Sequence, residues 1–177
     1  MNEEKGLVIL YTGEGKGKTT AALGLVLRAV GYKKKCLIIQ FGKAWFTGEL
    51  VGIKKLAPLV KIIQGGKGFL DILGSKIPLS IHKKAANEAF NLLYKEVISD
   101  KWDVVVADEI VGSVAAGVLP LSKALKLIKD KPERLDLVLT GHHAKKELIE
   151  KSDLVTEMKE IQHPFQKGIL AKKAIDF

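Results

Sequence analysis

Apolar runs with little polar interruption alternate along this chain with stretches whose apolar residues recur every three or four positions. Residues 7–12, 36–41, 60–64, 103–109, 135–140 and 154–158 are of the first kind. A strand that is apolar on both sides is buried on both faces, so these runs predict a parallel sheet covered by helices. Helices are predicted over 19–30, closing near Gly31, and over 80–99. Two more are predicted over 111–119 and 122–129, parted by Pro120, and a short one over 144–151. In the long helix, Ala85, Ala89, Leu92, Leu93 and Val97 mark the buried stripe, while His82 near the start is expected to be exposed. The pattern predicts an α/β fold in three layers: a mostly parallel sheet of about six strands with helices on both faces. No repeat, low-complexity tract or linker interrupts it, so residues 1–177 are read as one domain.

The chemistry sits in the loops. Residues 13–20, GEGKGKTT, join the first strand to the first helix. Such a loop turns successive backbone N–H groups inward and adds the positive end of the new helix, which suits a phosphate. Gly13, Gly15 and Gly17 keep side chains out of the way, with Glu14 between the first two. Lys16 and Lys18 supply positive charge, and the hydroxyl of Thr19, followed by Thr20, can ligate Mg²⁺. The strict P-loop pattern places glycine five residues before Gly17, where Thr12 stands; Gly13 comes one place late. The plain alternative is a glycine-rich turn with incidental lysines, and the strand–loop–helix context argues against it.

Residues 103–109, DVVVADE, run four apolar positions straight into Asp108 and Glu109. An acid delivered at a strand tip can complete a Mg²⁺ shell with Thr19. Residues 42–49, GKAWFTGE, follow the second strand at the end where parallel sheets bind ligands, so Trp45 and Phe46 either face a ligand or pack the loop. The loop 65–78, GGKGFLDILGSKIP, is longer than a connection requires. Its apolar residues, Phe69 among them, either cover a ligand or fold back on the core. His142 and His143 follow the fifth strand on the same edge as the glycine loop, within reach of a nucleotide. No third ligand stands at zinc spacing from them. His163, before Pro164, is read as structural.

Composition adds boundaries. The net charge of +9 comes from lysines spread through the chain, and aromatics make up only 6%, so it reads as a solvated surface and no nucleic-acid partner is expected. The single cysteine, Cys36, excludes an internal disulfide and falls in an apolar strand, which predicts a buried, inert thiol. No apolar run spans a bilayer and MNEEKG carries no signal pattern, so a cytoplasmic protein without a membrane partner is expected. The closing GILAKKAIDF is apolar enough to predict a docked tail.

The segments YTGEGKGKTTAALG (11–24), RAVG (28–31), QFGKAWFTGE (40–49), VVVADEI (104–110) and LTGHHAKKELIEKSDLVTEMKEIQHPFQKGILAKKAIDF (139–177) closely resemble the P-loop ATP:corrinoid adenosyltransferases. The resemblance covers nearly the whole chain, and the late first glycine belongs to it. It implies a RecA-like P-loop core, ATP as co-substrate, Mg²⁺, and a corrinoid as second substrate: cobalamin or its cobyrinic acid diamide precursor. It implies attack by Co(I) on the 5′ carbon of ATP with release of triphosphate. In that reading Lys16 and Lys18 are catalytic, and Thr19 and Glu109, supported by Asp108, hold the metal. The nucleotide and corrinoid would be bound by residues 13–20 together with Arg28, Trp45, Phe69 and His142. The resemblance further implies a homodimer and an electron-donating reductase or flavodoxin-like partner. The chain departs from the family pattern at Asp71, where tryptophan is common, at Val111, where a polar residue is common, and at His142, where arginine is common. Two other readings stay open: a P-loop ATPase or small-molecule kinase acting at the γ-phosphate, and a non-catalytic ATP- or nucleic-acid-binding module.

Overall fold

The computed structural model describes residues 5–68 and 77–176. Side-chain alternation along the strands decides the layers. In β2 (Cys36–Phe41), Leu37, Ile39 and Phe41 enter one core while Cys36 and Ile38 enter the other. The two-residue period sends successive side chains to opposite faces, so a strand apolar throughout needs cover on both. That cover is present. α1 (Lys18–Gly31) and α2 (Glu49–Lys54) close one face through Ala22, Val26 and Ile53. α3 (Leu79–Ile98), α4 (Ile110–Ala115), α5 (Leu121–Asp130) and α6 (Lys146–Glu150) close the other through Phe90, Leu93, Ile110, Leu127 and Leu148. Each fully buried leucine or isoleucine contributes about 1.5–3 kcal/mol.

The remaining strands are β1 (Val8–Thr12), β3 (Val60–Gly65), β4 (Val104–Asp108), β5 (Asp136–Thr140) and β6 (Leu154–Glu157). The six form one sheet in the order β3-β2-β4-β5-β1-β6, every pairing parallel. Parallel pairing brings the C-terminal ends of all strands to one edge, so the loops that follow them meet there. β5 separates β1, which carries the glycine loop, from β4, which ends in Asp108. This is the three-layer, RecA-like arrangement expected from the sequence.

Several details differ from expectation. α2 was not legible: it has six residues, includes Gly52, and lacks a side-chain cap. α4 stops at Ala115 rather than running to 119, because Gly117 turns left-handed (φ 69°) and the amides of Val118 and Leu119 bond back to the Ser113 carbonyl. His82 is 6% exposed, not a surface residue. It lies one turn before the buried Ala85 and Ala86 on the same side of α3, so helical periodicity carries it inward. The tail is docked only at its end: residues 164–175 are exposed, and Asp176 then returns to pair with Lys16 of the glycine loop. Phe69 and Asp71 lie outside the described residues.

Cys36 is fully buried, and its sulfur bonds the Lys34 carbonyl oxygen at 3.6 Å. Loss of water pushes its thiol up to about 12, with the nearby Asp103 carboxylate adding to the effect. The thiolate is the reactive form, and a raised pKa leaves little of it at pH 8. Native protein should therefore resist a disulfide-exchange reagent such as DTNB at pH 8, while denatured protein should titrate its one thiol fully. Rapid labelling of the native chain would refute this burial. Among the described residues, no helix is long and apolar enough to cross a membrane.

Candidate active site

The glycine loop is shaped by its two flanks. β1 ends at Thr12, Gly13 turns at φ 99° and Gly17 at φ 109°, and α1 begins at Lys18. Gly17 caps α1 without a side-chain hydrogen bond, and no acid occupies the first helical turn. The positive end of α1 and its orphan amides are therefore left for an incoming anion. The glycines also serve the sheet. A Cβ on Gly13 would stand 2.4 Å from the Met158 carbonyl oxygen, and one on Gly15 would stand 2.7 Å from that of Lys159. The amide of Gly15 donates to the Met158 oxygen at 2.7 Å, and the amide of Met158 donates to the Thr12 oxygen at 2.8 Å. The loop is thus seated against the chain that leaves β6.

Lys18 is 5% exposed and folds back into the loop, donating to the carbonyl oxygens of Gly13 (2.7 Å) and Gly15 (2.8 Å). Burial holds its pKa below the usual lysine value, against the pull of Glu109, Glu14 and Asp108. An anion in the loop would add to that pull and favour the charged ammonium. Lys16 projects at the outer side, paired with Asp176.

Across β5 stands the acid. Asp108 is 0% exposed and fully engaged. Its Oδ1 accepts from the hydroxyls of Thr19 and Thr140, each at 2.8 Å. Its Oδ2 accepts from Gln40 Nε2 at 3.2 Å and faces Lys43 Nζ at 3.2 Å. Lys43 also meets Glu49 Oε1 at 3.2 Å, and Gln40 donates to the same oxygen at 3.0 Å. Burial would raise the Glu49 pKa, but the hydrogen bonds it accepts from Gln40 and its own backbone, with others, hold it below the usual range.

Glu109 follows in a left-handed conformation (φ 62°) that caps α4, and its amide donates to the Thr140 hydroxyl at 2.9 Å. Its carboxyl is pushed up to about 7, first by burial and then by the Asp108 charge, with Lys18 and Lys43 opposing. Thr19, Asp108 and Glu109 are hard oxygen donors beside the phosphate loop, the donor chemistry that suits Mg²⁺. The Thr19–Asp108 hydrogen bond already holds two of them in contact.

Among the described residues, two of the cavities on this edge adjoin each other. One, about 500 Å³, is lined by residues 16–20 of the loop and α1, by Lys43, Trp45 and Glu49, and by Ala174–Asp176 of the tail. The other, about 400 Å³, runs between α3 and α4 and is walled largely by apolar and small residues, Phe41, Ala85, Ala86, Ala116 and Val118 among them. Glu109 and His142 line both.

The structure therefore gathers Lys16, Gly17, Lys18, Thr19, Thr20, Trp45, Glu109 and His142 around one cavity, with Gly13, Gly15 and Asp108 directly behind it. Trp45 is 42% exposed, at the rim. Glu14 faces His142 Nδ1 at 3.5 Å and His143 Nδ1 at 3.1 Å. Burial, then the Lys18 charge, lower the His142 pKa against the Glu14 carboxylate, so that side chain is neutral near pH 7. Arg28 is not brought in: it sits exposed in the last turn of α1, about 15 Å along the helix from Lys18. His163 accepts the Phe165 amide at 3.2 Å and caps a short 3₁₀ turn, a structural part. Sequence reasoning missed Gln40 and Thr140 as members of the acid network. The available signal was a polar residue near the tip of an otherwise apolar, doubly buried strand.

The sheet order, the glycine loop opening α1 and the acid one strand away define the class: a RecA-like α/β protein with an anion-binding loop of P-loop form. The family model for ATP:corrinoid adenosyltransferases (BtuR/CobO/CobP) matches residues 4–177, and the chain belongs to that family. The family is one of transferase enzymes acting on corrinoids, and this chain is one of them. It is 36% identical over 180 residues to a corrinoid adenosyltransferase of Sinorhizobium sp, covering 99% of this chain and 82% of that protein. It is 30% identical over 176 residues to the corrinoid adenosyltransferase of Escherichia coli K12, covering 99% and 87%. With corrinoid adenosyltransferase CobA of Salmonella typhimurium the identity is 29% over 181 residues, again covering 99% and 87%.

Proposed function

We propose that this chain transfers the 5′-deoxyadenosyl group of ATP to the Co(I) centre of cobalamin or a cobyrinic acid diamide precursor and releases inorganic triphosphate. The observation that supports it best is the pair of cavities sharing the Glu109–His142 wall, one cationic and one largely apolar. A group transfer between a polyanion and a flat macrocycle calls for two such compartments in contact.

In this reading the triphosphate lies in the loop and the ribose 5′ carbon points toward the shared wall. The cobalt electron pair forms the Co–C bond, the C5′–O bond breaks, and its electrons leave on triphosphate. No protein nucleophile is needed. Lys18, Lys16 and the amides of residues 13–19 meet the charge that develops on the leaving group, which is electrostatic stabilisation of the transition state. Thr19 and Glu109, with Asp108 in support, would hold Mg²⁺, which when bound adds positive charge beside the same oxygens. Asp108 orients the Thr19 hydroxyl, while Gln40, Thr140 and Lys43 fix Asp108. The Co(I) state is supplied by an external one-electron donor, a reductase or flavodoxin-like protein. A homodimer is the assembly this reading carries.

Incubation with ATP, Mg²⁺ and chemically reduced cobalamin tests it. The expected result is loss of the Co(I) spectrum with one triphosphate formed per cobalt consumed. Release of ADP and phosphate instead would favour a γ-phosphate ATPase or kinase.

A further inference from the structure

The lysine at the outer side of the glycine loop already holds an anion. Lys16 Nζ pairs with Asp176 Oδ1, an oxygen shielded from solvent. Asp176 Oδ2 accepts from the amide of Lys172 at 2.6 Å. The amides of Ile175 and Asp176 donate to the Lys172 carbonyl oxygen at 3.1 and 2.8 Å. These hydrogen bonds close a turn on itself, with Ala174 at φ 68°, a left-handed conformation that favours glycine. Among the described residues, the polar tie from this turn to the loop is the ion pair, and the chain leading to it, residues 164–175, is exposed. The pair brings Ala174, Ile175 and Asp176 into the wall of the cationic cavity, beside Lys16, Lys18 and Thr20.

We propose that Asp176 is an internal competitor of the triphosphate chain: its carboxylate and the phosphate oxygens take turns on the Lys16 ammonium. This rests on the reading that the loop takes triphosphate. The side chain of Lys16 is 47% exposed and that of Asp176 15%. An ion pair with one partner so open to water is weak, so a polyanion held also by Lys18 and the loop amides outcompetes it. If both anions stayed, like charges would face each other across one ammonium, which disfavours the filled site. Asp176 acts through Lys16 and is therefore a positioning residue. It sets a threshold that the incoming polyanion must pass, and by returning to Lys16 it helps displace the triphosphate product.

Isothermal titration of the full chain with inorganic tripolyphosphate and Mg²⁺ tests this. Asp176→Asn keeps an oxygen for the Lys172 amide and removes the charge. It should tighten Kd about 2–5-fold, the scale of a partly exposed ion pair. The inhibition constant of tripolyphosphate against ATP should fall by the same factor. Asp176→Glu, which restores the charge, should bring Kd back toward the wild-type value. In the Lys16→Ala background, Asp176→Asn should leave Kd unaltered, because the lysine that carries the competition is gone. Hydrogen exchange reads the same event independently: the Lys172 amide should exchange faster in wild type once tripolyphosphate is bound. Equal Kd in wild type and Asp176→Asn overturns the assignment. So does weaker binding by Asp176→Asn with slower exchange at Lys172, which would make the tail a lid that closes on the ligand. A gain that persists without Lys16 would reduce Asp176 to a diffuse charge, also against it. Wild-type protein that binds neither tripolyphosphate nor ATP would instead overturn the triphosphate reading of the loop, and this assignment with it.

Discussion

Lys18→Ala lowers the rate of triphosphate release by about 10²–10³-fold, the scale on which a single preorganised charge donor acts at a transition state. The side chain is already inside the loop, 2.7 and 2.8 Å from two carbonyl oxygens, so little reorganisation is needed when a phosphate arrives. Its burial strengthens the effect, because the ammonium acts through a medium less polarisable than water. Folding should be little affected: the variant loses two hydrogen bonds but also relieves a buried cation. Lys18→Arg should rescue only in part, since a planar guanidinium does not reproduce the compact ammonium that meets both the Gly13 and Gly15 carbonyl oxygens. Lys16→Ala should be milder, because that side chain is half exposed and solvent can take its place. Single-turnover measurement of triphosphate decides the matter, and a Lys18→Ala rate within about threefold of wild type would remove the lysine from the mechanism.

Asp108→Ala combines loss of activity with loss of stability. It strips one carboxylate from four partners: Thr19, Thr140, Gln40 and Lys43. Lys43 is mostly buried and keeps only Glu49, so breaking the pair costs about 3 kcal/mol or more. At the sensitivity expected for a chain of this size, that is a fall in Tm of about 6–12 °C. Asp108→Asn should recover part of the stability, since its carbonyl still accepts from the two threonines, but not the activity, since the charge that holds Lys43 and favours a metal is gone. Calorimetry and triphosphate release on both variants separate the two effects. An Asp108→Ala protein that melts like wild type would mean the network is not a support.

The sheet was legible because its strands are apolar on both sides, a pattern that leaves one architecture open. The glycine loop was legible because its residue types serve a backbone shape. What escaped was of two kinds. α2 is short and glycine-bearing, so its helix depends on packing Ile53 into the core rather than on local propensity. His82 is expected at the surface from its place near the start of α3, but its position relative to the alanine stripe carries it inward. Gln40 and Thr140 were hidden because a partner three-dimensionally adjacent but 68 or 32 residues away leaves no local mark.

The seating of Gly13 and Gly15 on the segment after β6 carries a mechanical consequence. β6 is one of the two edge strands, paired on one side and exposed along its length. Edge strands fray first, at a free energy below that of global unfolding. When this one lifts, the anion cradle loses its backstop while the other five strands stay paired, so nucleotide grip acts as a strain gauge for the rim of the sheet. Conversely, a polyanion clenched in the cradle should knit that rim shut.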